Sequence, residues 1–362
     1  MALGLITASR LRKFRTCKRA HLYGYDMAVR AIRQGEALRF GSLFHDGLEA
    51  WWIAKMLAKH GAPPALRSAL DAVQRKLKDS DGELNEFDLV KAEELLTGYD
   101  ARWADEVIEV LAVECQFEAP LVNPETGAAS RTYRIAGKID AVAKAADGLV
   151  YIVEHKTTTM DATPGSEYWK RLNIDGQISM YYNGAAALGH DVAGCIYDVA
   201  TRPTMRPKTA TPEGERKYTT RASKLKDGTV RPVGSLHANQ RDRDETPAEF
   251  RERVRAAICA EPDRYFVRGM VVRLDGEMED HAWDTWHTAR HMREVELSGR
   301  AVRNPDACVQ FNRTCDYFDV CCGTASLDDP AQFTRGDSSH PELSTEAKEA
   351  TNDQDQFEFN EF

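Results

Sequence analysis

Apolar positions recur at helical spacing over the first hundred residues. Between Ser9 and Tyr25, Leu11, Phe14 and Leu22 mark one face of a short basic helix. From Gly41 to His60, Leu43, Phe44, Leu48, Trp51, Trp52 and Met56 follow i, i+4 spacing, and Gly61 with Pro63-Pro64 ends that helix. Two further helices are expected over 64–78 and 86–111. The period then drops to two. Residues 111–122 alternate as a strand with Asn123–Gly127 as its turn, and Tyr133–Thr159 gives two strand runs joined at Asp147-Gly148, a tight-turn dipeptide. A helix over 173–189, a strand over 194–200 and helices over 247–260 and 277–298 complete the pattern. The stretch 201–247, rich in Pro, Thr, Lys, Arg and Gly, predicts a long loop or a small hairpin insertion. Beyond 325 the apolar anchors run out, and a disordered acidic tail over 326–362 is expected.

At 362 residues the chain is long enough for a substantial core, and 42% hydrophobic with 29% charged residues is ordinary for a soluble protein. No stretch approaches 18 apolar residues, which excludes a membrane-spanning helix. The opening residues show no charged leader followed by an apolar run, so a cytoplasmic location is expected. Eight cysteines are too sparse for a disulfide scaffold, and in a reducing compartment spaced cysteines more often bind metal. The net charge of −9 is uneven: residues 1–40 carry nine Lys and Arg against two acids, 201–232 nine against three, and 328–362 two against ten. Without the acidic tail the body is near neutral with two basic segments, a weak pointer to a polyanion.

The chemistry concentrates at the ends of the two central strand runs. Asp140 ends the first, and Glu154-His155-Lys156 ends the second after the apolar Tyr151, Ile152 and Val153. Across an antiparallel turn these ends lie side by side, and Glu154 and Lys156, two apart, share a face. Two converging carboxylates, with the peptide carbonyl of His155 between them, make a hard oxygen site suited to Mg2+ or Mn2+. A lysine beside them can orient or deprotonate a water, or stabilise charge on a pentacovalent phosphate. That combination suits phosphodiester hydrolysis. A surface Glu/Lys pair beside a solvated Asp is the bland alternative.

Gly-Lys-Ile-Asp140 followed by Val-Glu154-His-Lys156 resembles the core of the PD-(D/E)XK nucleases, and more narrowly their RecB-type branch. Gly41-Ser-Leu-Phe-His45 resembles that branch's G-x-x-x-H helix, Gln177-Ile-Ser-Met-Tyr181 its Q-x-x-x-Y motif, and Ser9 to Cys17 its opening motif. The resemblance implies an α/β fold, a restriction-endonuclease-like mixed central sheet flanked by helices, preceded by N-terminal helices and followed by a cysteine-cluster segment, all within a single nuclease domain over 1–325. It implies that His45, Asp140 and Glu154 hold metal, that Lys156 is the catalytic lysine, and that Gln177 and Tyr181 support the site or contact DNA. Glu114 sits where the family often has an additional acid. The implied activity is a metal-dependent deoxyribonuclease, an exonuclease on DNA ends or single strands in recombination, repair or phage DNA metabolism. The different-class alternative is a catalytically silent DNA-binding or scaffold protein on the same fold.

Cys115, Cys195 and Cys259 read as small hydrophobes. Cys308, Cys315 and Cys321 lie within 14 residues, with Cys17 far upstream, and suggest a thiolate site. Paired C-x2-C spacing, the usual mark of zinc, is absent. One distant and three clustered cysteines resemble the iron–sulfur version of the branch, found in AddB-type helicase-nucleases and CRISPR-adaptation nucleases, which implies a [4Fe–4S] cluster on Cys17, Cys308, Cys315 and Cys321; the adjacent Cys322 is the alternative fourth ligand. Arg206, Lys208, Arg216, Lys217, Arg221 and Lys224 in the insertion are placed to grip phosphates. The terminal acids with Phe357, Phe359 and Phe362 resemble the tips of single-stranded-DNA-binding proteins, and could recruit such a partner or an annealing protein.

Overall fold

A computed structural model describes residues 3–340, apart from 33–34, 81, 83, 225–227, 311–312 and 337, together with Leu343. Its elements in chain order are β1 (Gly4–Ile6), α1 (Ala8–Thr16), α2 (Lys18–His21), β2 (Val29–Ala31), α3 (Glu36–Met56), α4 (Ala65–Lys78), α5 (Glu86–Trp103), β3 (Ile108–Val122), β4 (Ala129–Ala145), β5 (Val150–Thr158), α6 (Glu167–Lys170), α7 (Gly176–Ala187), β6 (Gly194–Thr201), β7 (Ser223–Lys224), β8 (Val230–Arg231), α8 (Pro247–Ala260), α9 (Pro262–Tyr265), β9 (Phe266–Val271), α10 (Asp275–Ser298), β10 (Val309–Gln310), β11 (Arg313–Thr314), α11 (Phe318–Cys322) and β12 (Phe333–Arg335).

Six strands form the central sheet, in the order β1-β4-β5-β6-β9 with β3 along the other edge of β4. It is mixed: β1 and β4 run parallel, as do β5 and β6, and the other pairs are antiparallel. Alternate side chains enter two cores. Ile152 joins Ile139, Val142 and Phe117 under α1, α7 and α10, while Val153 joins Ala141 and Ala143 under α3, α4, α5 and α8. The fold is thus the expected α/β architecture with a helix layer on each face. The α7 layer approaches closely. A Cβ on Gly137 of β4 would come within 2.7 Å of the Phe117 ring, and one on Gly184 of α7 would come closer still.

The insertion at 201–247 carries a small hairpin, β7–β8, as expected. Three differences from the sequence pattern have local causes. The helix expected to reach 111 ends at Trp103, because the alternation of β3 already begins at Ile108. The single helix expected over 9–25 breaks at Cys17, whose backbone is extended (φ −158°, ψ 115°), and resumes as α2 and a π-helical turn over Leu22–Asp26. The first part of the expected disordered tail is ordered: Phe333–Arg335 pairs antiparallel with Val29–Ala31, Tyr317 stacks on Phe333, and Arg30 donates to Ser338 O at 2.6 Å. Residues 344–362, with Phe357, Phe359 and Phe362, lie outside the described residues.

Candidate active site

The β4–β5 ladder is short. It runs from Lys144↔Val150 to Ala141↔Val153 and stops there, while β1 pairs with the same edge of β4 at 133–135. Asp140 and Glu154 therefore stand where the two strands part. The backbone N–H of His155, freed from the ladder, donates to Asp140 Oδ2 at 2.8 Å.

A backbone irregularity turns Asp140 to this fork. On β4, Ile139 and Val142 face the α7 core while Ala141 and Ala143 face the α3 core, so strict alternation is lost at Asp140. The neighbouring strand is rephased at the same level, between Val113 and Cys115. Glu114, between them, has φ +53°, a left-handed conformation that costs a non-glycine residue on the order of 1–2 kcal/mol. Its carboxylate pairs with Lys138.

On β5 the alternation is kept, so Glu154 and Lys156 face α7 and His155 faces α3 and α5. Glu154 is 1% exposed, and its Oε1 is engaged twice, by Lys156 Nζ and by Gln177 Nε2 at 3.0 Å. Gln177 also donates to the Tyr181 hydroxyl at 2.8 Å, and Asp175 caps α7 by accepting from the Gln177 backbone N–H. Gln177 and Tyr181, one turn apart, thus form a buttress holding Glu154. From the other side α3 brings His45, its ring centroid 6.5 Å from that of His155. Gly41, one turn earlier, lets α3 close on Thr157 of β5, whose Oγ1 would stand 3.4 Å from a Cβ there.

The fields follow from this crowding. Burial, with Asp140 nearby, raises the Glu154 carboxyl to about 8 against the pull of Lys156. Burial would raise Asp140 as well, but His45, His155, Lys156 and the His155 N–H outweigh it and hold Asp140 below its usual value. For Lys156 burial acts downward, yet Glu154 and Asp140 prevail and keep it a firm ammonium. Burial lowers His45 to about 4, so its imidazole is neutral at neutral pH.

A buried network lies behind His155 that the sequence reading did not identify. Asp198 of β6 accepts from the Tyr99 hydroxyl at 2.6 Å and from Arg268 Nη2 at 3.1 Å, and His155 Nδ1 lies 3.2 Å from it without hydrogen-bond alignment. Arg268 in turn pairs with Glu106 and lies 4.0 Å over the Trp103 ring. The usable signal was a lone acid within the apolar run Cys195–Ala200, since such an acid must find a partner.

The cysteines also meet. Cys17 and Cys315 pack on a small core with Tyr317 and Phe333, the Cys315 N–H donates to Cys308 O at 2.8 Å, and Arg303 donates to Cys321 O. Burial first, then the neighbouring cysteines, raise Cys308, which lies in the field of Cys315, Cys17 and Cys322; Cys321 is raised by burial and lies near Cys17, Cys315 and Cys308. The fields of Cys321 and Cys322 both reach Cys308 or Cys17, and among the described residues these thiols do not stand at metal-holding spacing. Of the basic residues singled out in the insertion, Arg206, Lys208, Lys217, Arg221 and Lys224 are exposed, while Arg216 is tied to Thr211 O and Asp242 O. None of them has a described hydrogen bond or ion pair to the residues at the fork.

Among the described residues, no three or more His, Cys, Asp or Glu side chains stand at the spacing that holds a metal ion. The donor set at the fork nonetheless fits a divalent cation in kind. It combines two hard carboxylates with a neutral imidazole, and Glu154 Oε2 is buried without a hydrogen-bond partner.

Buried neutral histidines give the protein a pH signature. His21, His45 and His281 are lowered to about 3, 4 and 4, by burial first in each case, helped by Arg10 at His21 and Arg15 at His281. Unfolded, each would titrate near its ordinary value of 6.5. The unfolded chain then binds more protons below that pH, so stability is complete above about 6.5 and is lost as pH falls toward 4. Urea midpoints should decline steadily through this window, with His21→Gln shallowing the decline; a flat profile would contradict the assignment.

The family model of the PD-(D/E)XK nuclease superfamily matches residues 5–321. No curated protein matches the chain. Among solved structures, one from Eubacterium rectale, described as a candidate exonuclease, is 11% identical with a TM-score of 0.44, over 90% of each chain. Another, that of SSO0001, is 15% identical with a TM-score of 0.23, over 56% of this chain and 64% of that one. No described helix is long and apolar enough to cross a membrane.

Proposed function

The chain belongs to the PD-(D/E)XK nuclease superfamily, and from that premise we propose that it is a Mg2+- or Mn2+-dependent deoxyribonuclease of the RecB type, acting as an exonuclease on DNA ends or single strands. The observation that carries the reading is the fork itself: a buried glutamate with one oxygen unpartnered, an aspartate turned toward it, and an ammonium and a neutral imidazole alongside. A structural role would leave two carboxylates close together with little return, because like charges in a buried site repel.

Asp140, Glu154 and His45 would hold the cation, with the His155 carbonyl as a further oxygen. When bound, the metal supplies charge neutralisation at the phosphate and a more acidic water. The chain's own groups do the rest. Gln177, braced by Tyr181, fixes the Glu154 carboxylate through its amide. Lys156, raised by Glu154 and Asp140, orients water by donating to it and steadies charge on the phosphate. The test is labelled linear DNA incubated with Mn2+, with chelator, and with Lys156→Ala. Cleavage that requires metal and Lys156 is expected. Stable binding without cleavage by the wild type would favour the silent scaffold instead.

Cys17, Cys308, Cys315 and Cys321 or Cys322 would hold a [4Fe–4S] cluster joining the C-terminal segment to α1 and α2. The packing of Cys17 and Cys315 on one small core supports this. Four irons and four acid-labile sulfides per chain are expected, and zinc in their place would overturn it. The acidic tail would recruit a single-stranded-DNA-binding or annealing protein, and a truncation at 326 that leaves partner capture unchanged would remove that role.

A further inference from the structure

A cavity of about 300 Å³ opens beside Gln177, between α1, the first turn of α7 and α10. Arg12 and Arg15, one turn apart on the exposed side of α1, line it, with Gly176, Gln177 and His281 opposite. Among the described residues the Arg12 guanidinium has no hydrogen bond or ion pair. Arg15 gives Nε to the neutral Thr288 hydroxyl at 3.0 Å and pairs with no described carboxylate. Elsewhere in this chain arginines near acids are claimed by them: Arg251 and Arg255 pair with Glu94, and Arg253 pairs with Glu245. Of the acids whose fields reach His281, Asp175 is committed to capping α7 and Asp284 lies on α10. His281 is neutral at neutral pH and contributes hydrogen-bonding capacity rather than charge. The cavity therefore presents two guanidinium forks, and its wall is Gln177, whose amide holds the active-site glutamate.

We propose that this cavity is a phosphate subsite, in which Arg12 and Arg15 hold one phosphate of a DNA strand next to the phosphodiester presented to Glu154 and Lys156. The assignment of neighbouring positions rests on the nuclease reading; the capture of phosphate does not. The cavity has room for a phosphate with its sugar, and planar guanidinium groups match phosphate oxygens two at a time. The phosphate can be an internal diester or a strand-terminal monoester, and the arms of the experiment separate the two.

The full chain with Arg12→Ala/Arg15→Ala is compared with wild type, with Arg12→Lys/Arg15→Lys, and with Arg67→Ala on α4 as a charge control. Binding of a fluorescent single-stranded oligonucleotide is measured by anisotropy in chelator at several salt concentrations, and cleavage is measured with Mn2+. The double alanine variant should bind about tenfold more weakly, and the slope of log affinity against log salt should fall by about 0.7, the share of the one phosphate the two arginines hold. KM should rise with kcat within about twofold, the lysine pair should recover part of the loss, and Arg67→Ala should match wild type. If the pocket takes a terminal monoester, dephosphorylating the 5′ or the 3′ end reproduces the loss in wild type and has no effect in the double variant. If it takes a diester, both ends are silent and the loss persists. Unchanged affinity and salt slope in the double variant would overturn the subsite. A wild type that binds with these slopes but never cleaves would overturn the nuclease reading and leave the subsite standing.

Discussion

Asparagine in place of Asp140 is expected to slow DNA cleavage by about 10³-fold or more, with little change in melting temperature. The contrast follows from what Asp140 does at the fork. As a hydrogen-bond acceptor for the His155 N–H it can be replaced by the asparagine carbonyl, which keeps the strand ends in place. As a charge it cannot, because a metal-assisted reaction draws several kcal/mol from the carboxylates that hold the cation, and each 1.36 kcal/mol is tenfold in rate. Removing that charge also relieves one of the causes that raise Glu154, so the Glu154 pKa should move down toward its ordinary range. Single-turnover cleavage with Mn2+, alongside thermal melting, measures both sides. A variant within tenfold of wild type would place the chemistry elsewhere.

Arg268→Ala should produce the largest loss of stability, about 3–5 kcal/mol by chemical denaturation. Asp198 is almost fully buried, and Arg268 is its cationic partner. Deleting the guanidinium strands that carboxylate and also the Glu106 pair and the stacking on Trp103. Arg268 touches none of the carboxylates at the fork, so the folded fraction of the variant should cleave DNA at a rate near that of wild type. The double variant Arg268→Met/Asp198→Asn should recover a good part of the loss, because it removes the buried charge together with its partner. A single variant within 1 kcal/mol of wild type would show that the network is not a source of stability.

The sequence made the fork legible because its signal is local. A two-residue period fixes the shared face of Glu154 and Lys156, and the Asp147-Gly148 turn sets the antiparallel pairing that aligns Asp140 with them. Gln177 and Tyr181 came from the resemblance to the Q-x-x-x-Y motif, since two polar residues one turn apart announce no role by spacing alone. The kink at Glu114 and Asp140 was not, because nothing in an alternating strand announces a positive φ at a glutamate; it arises from two strands rephasing together. The Asp198–Arg268 pair joins strands 70 residues apart, beyond the reach of periodicity. Arg12 and Arg15 looked like part of a general basic helix, and only the fold distinguishes them from Arg10, which is buried against Asp26 and His21. The pairing of residues 333–335 was missed because their few apolar anchors are matched by a short strand far away in the sequence.

That distant match has a consequence for the order of events on the ribosome. Contacts such as Arg30 with Ser338, 308 positions apart, carry a closure entropy on the order of 5 kcal/mol, and Arg30 cannot make its contact until Ser338 has emerged. The strands bearing Asp140, Glu154 and Lys156 are complete well before then, whereas α1 waits for α10 and β2 waits for β12. A nascent chain therefore acquires its carboxylates early and its finished N-terminal wall only after residue 338 has been made.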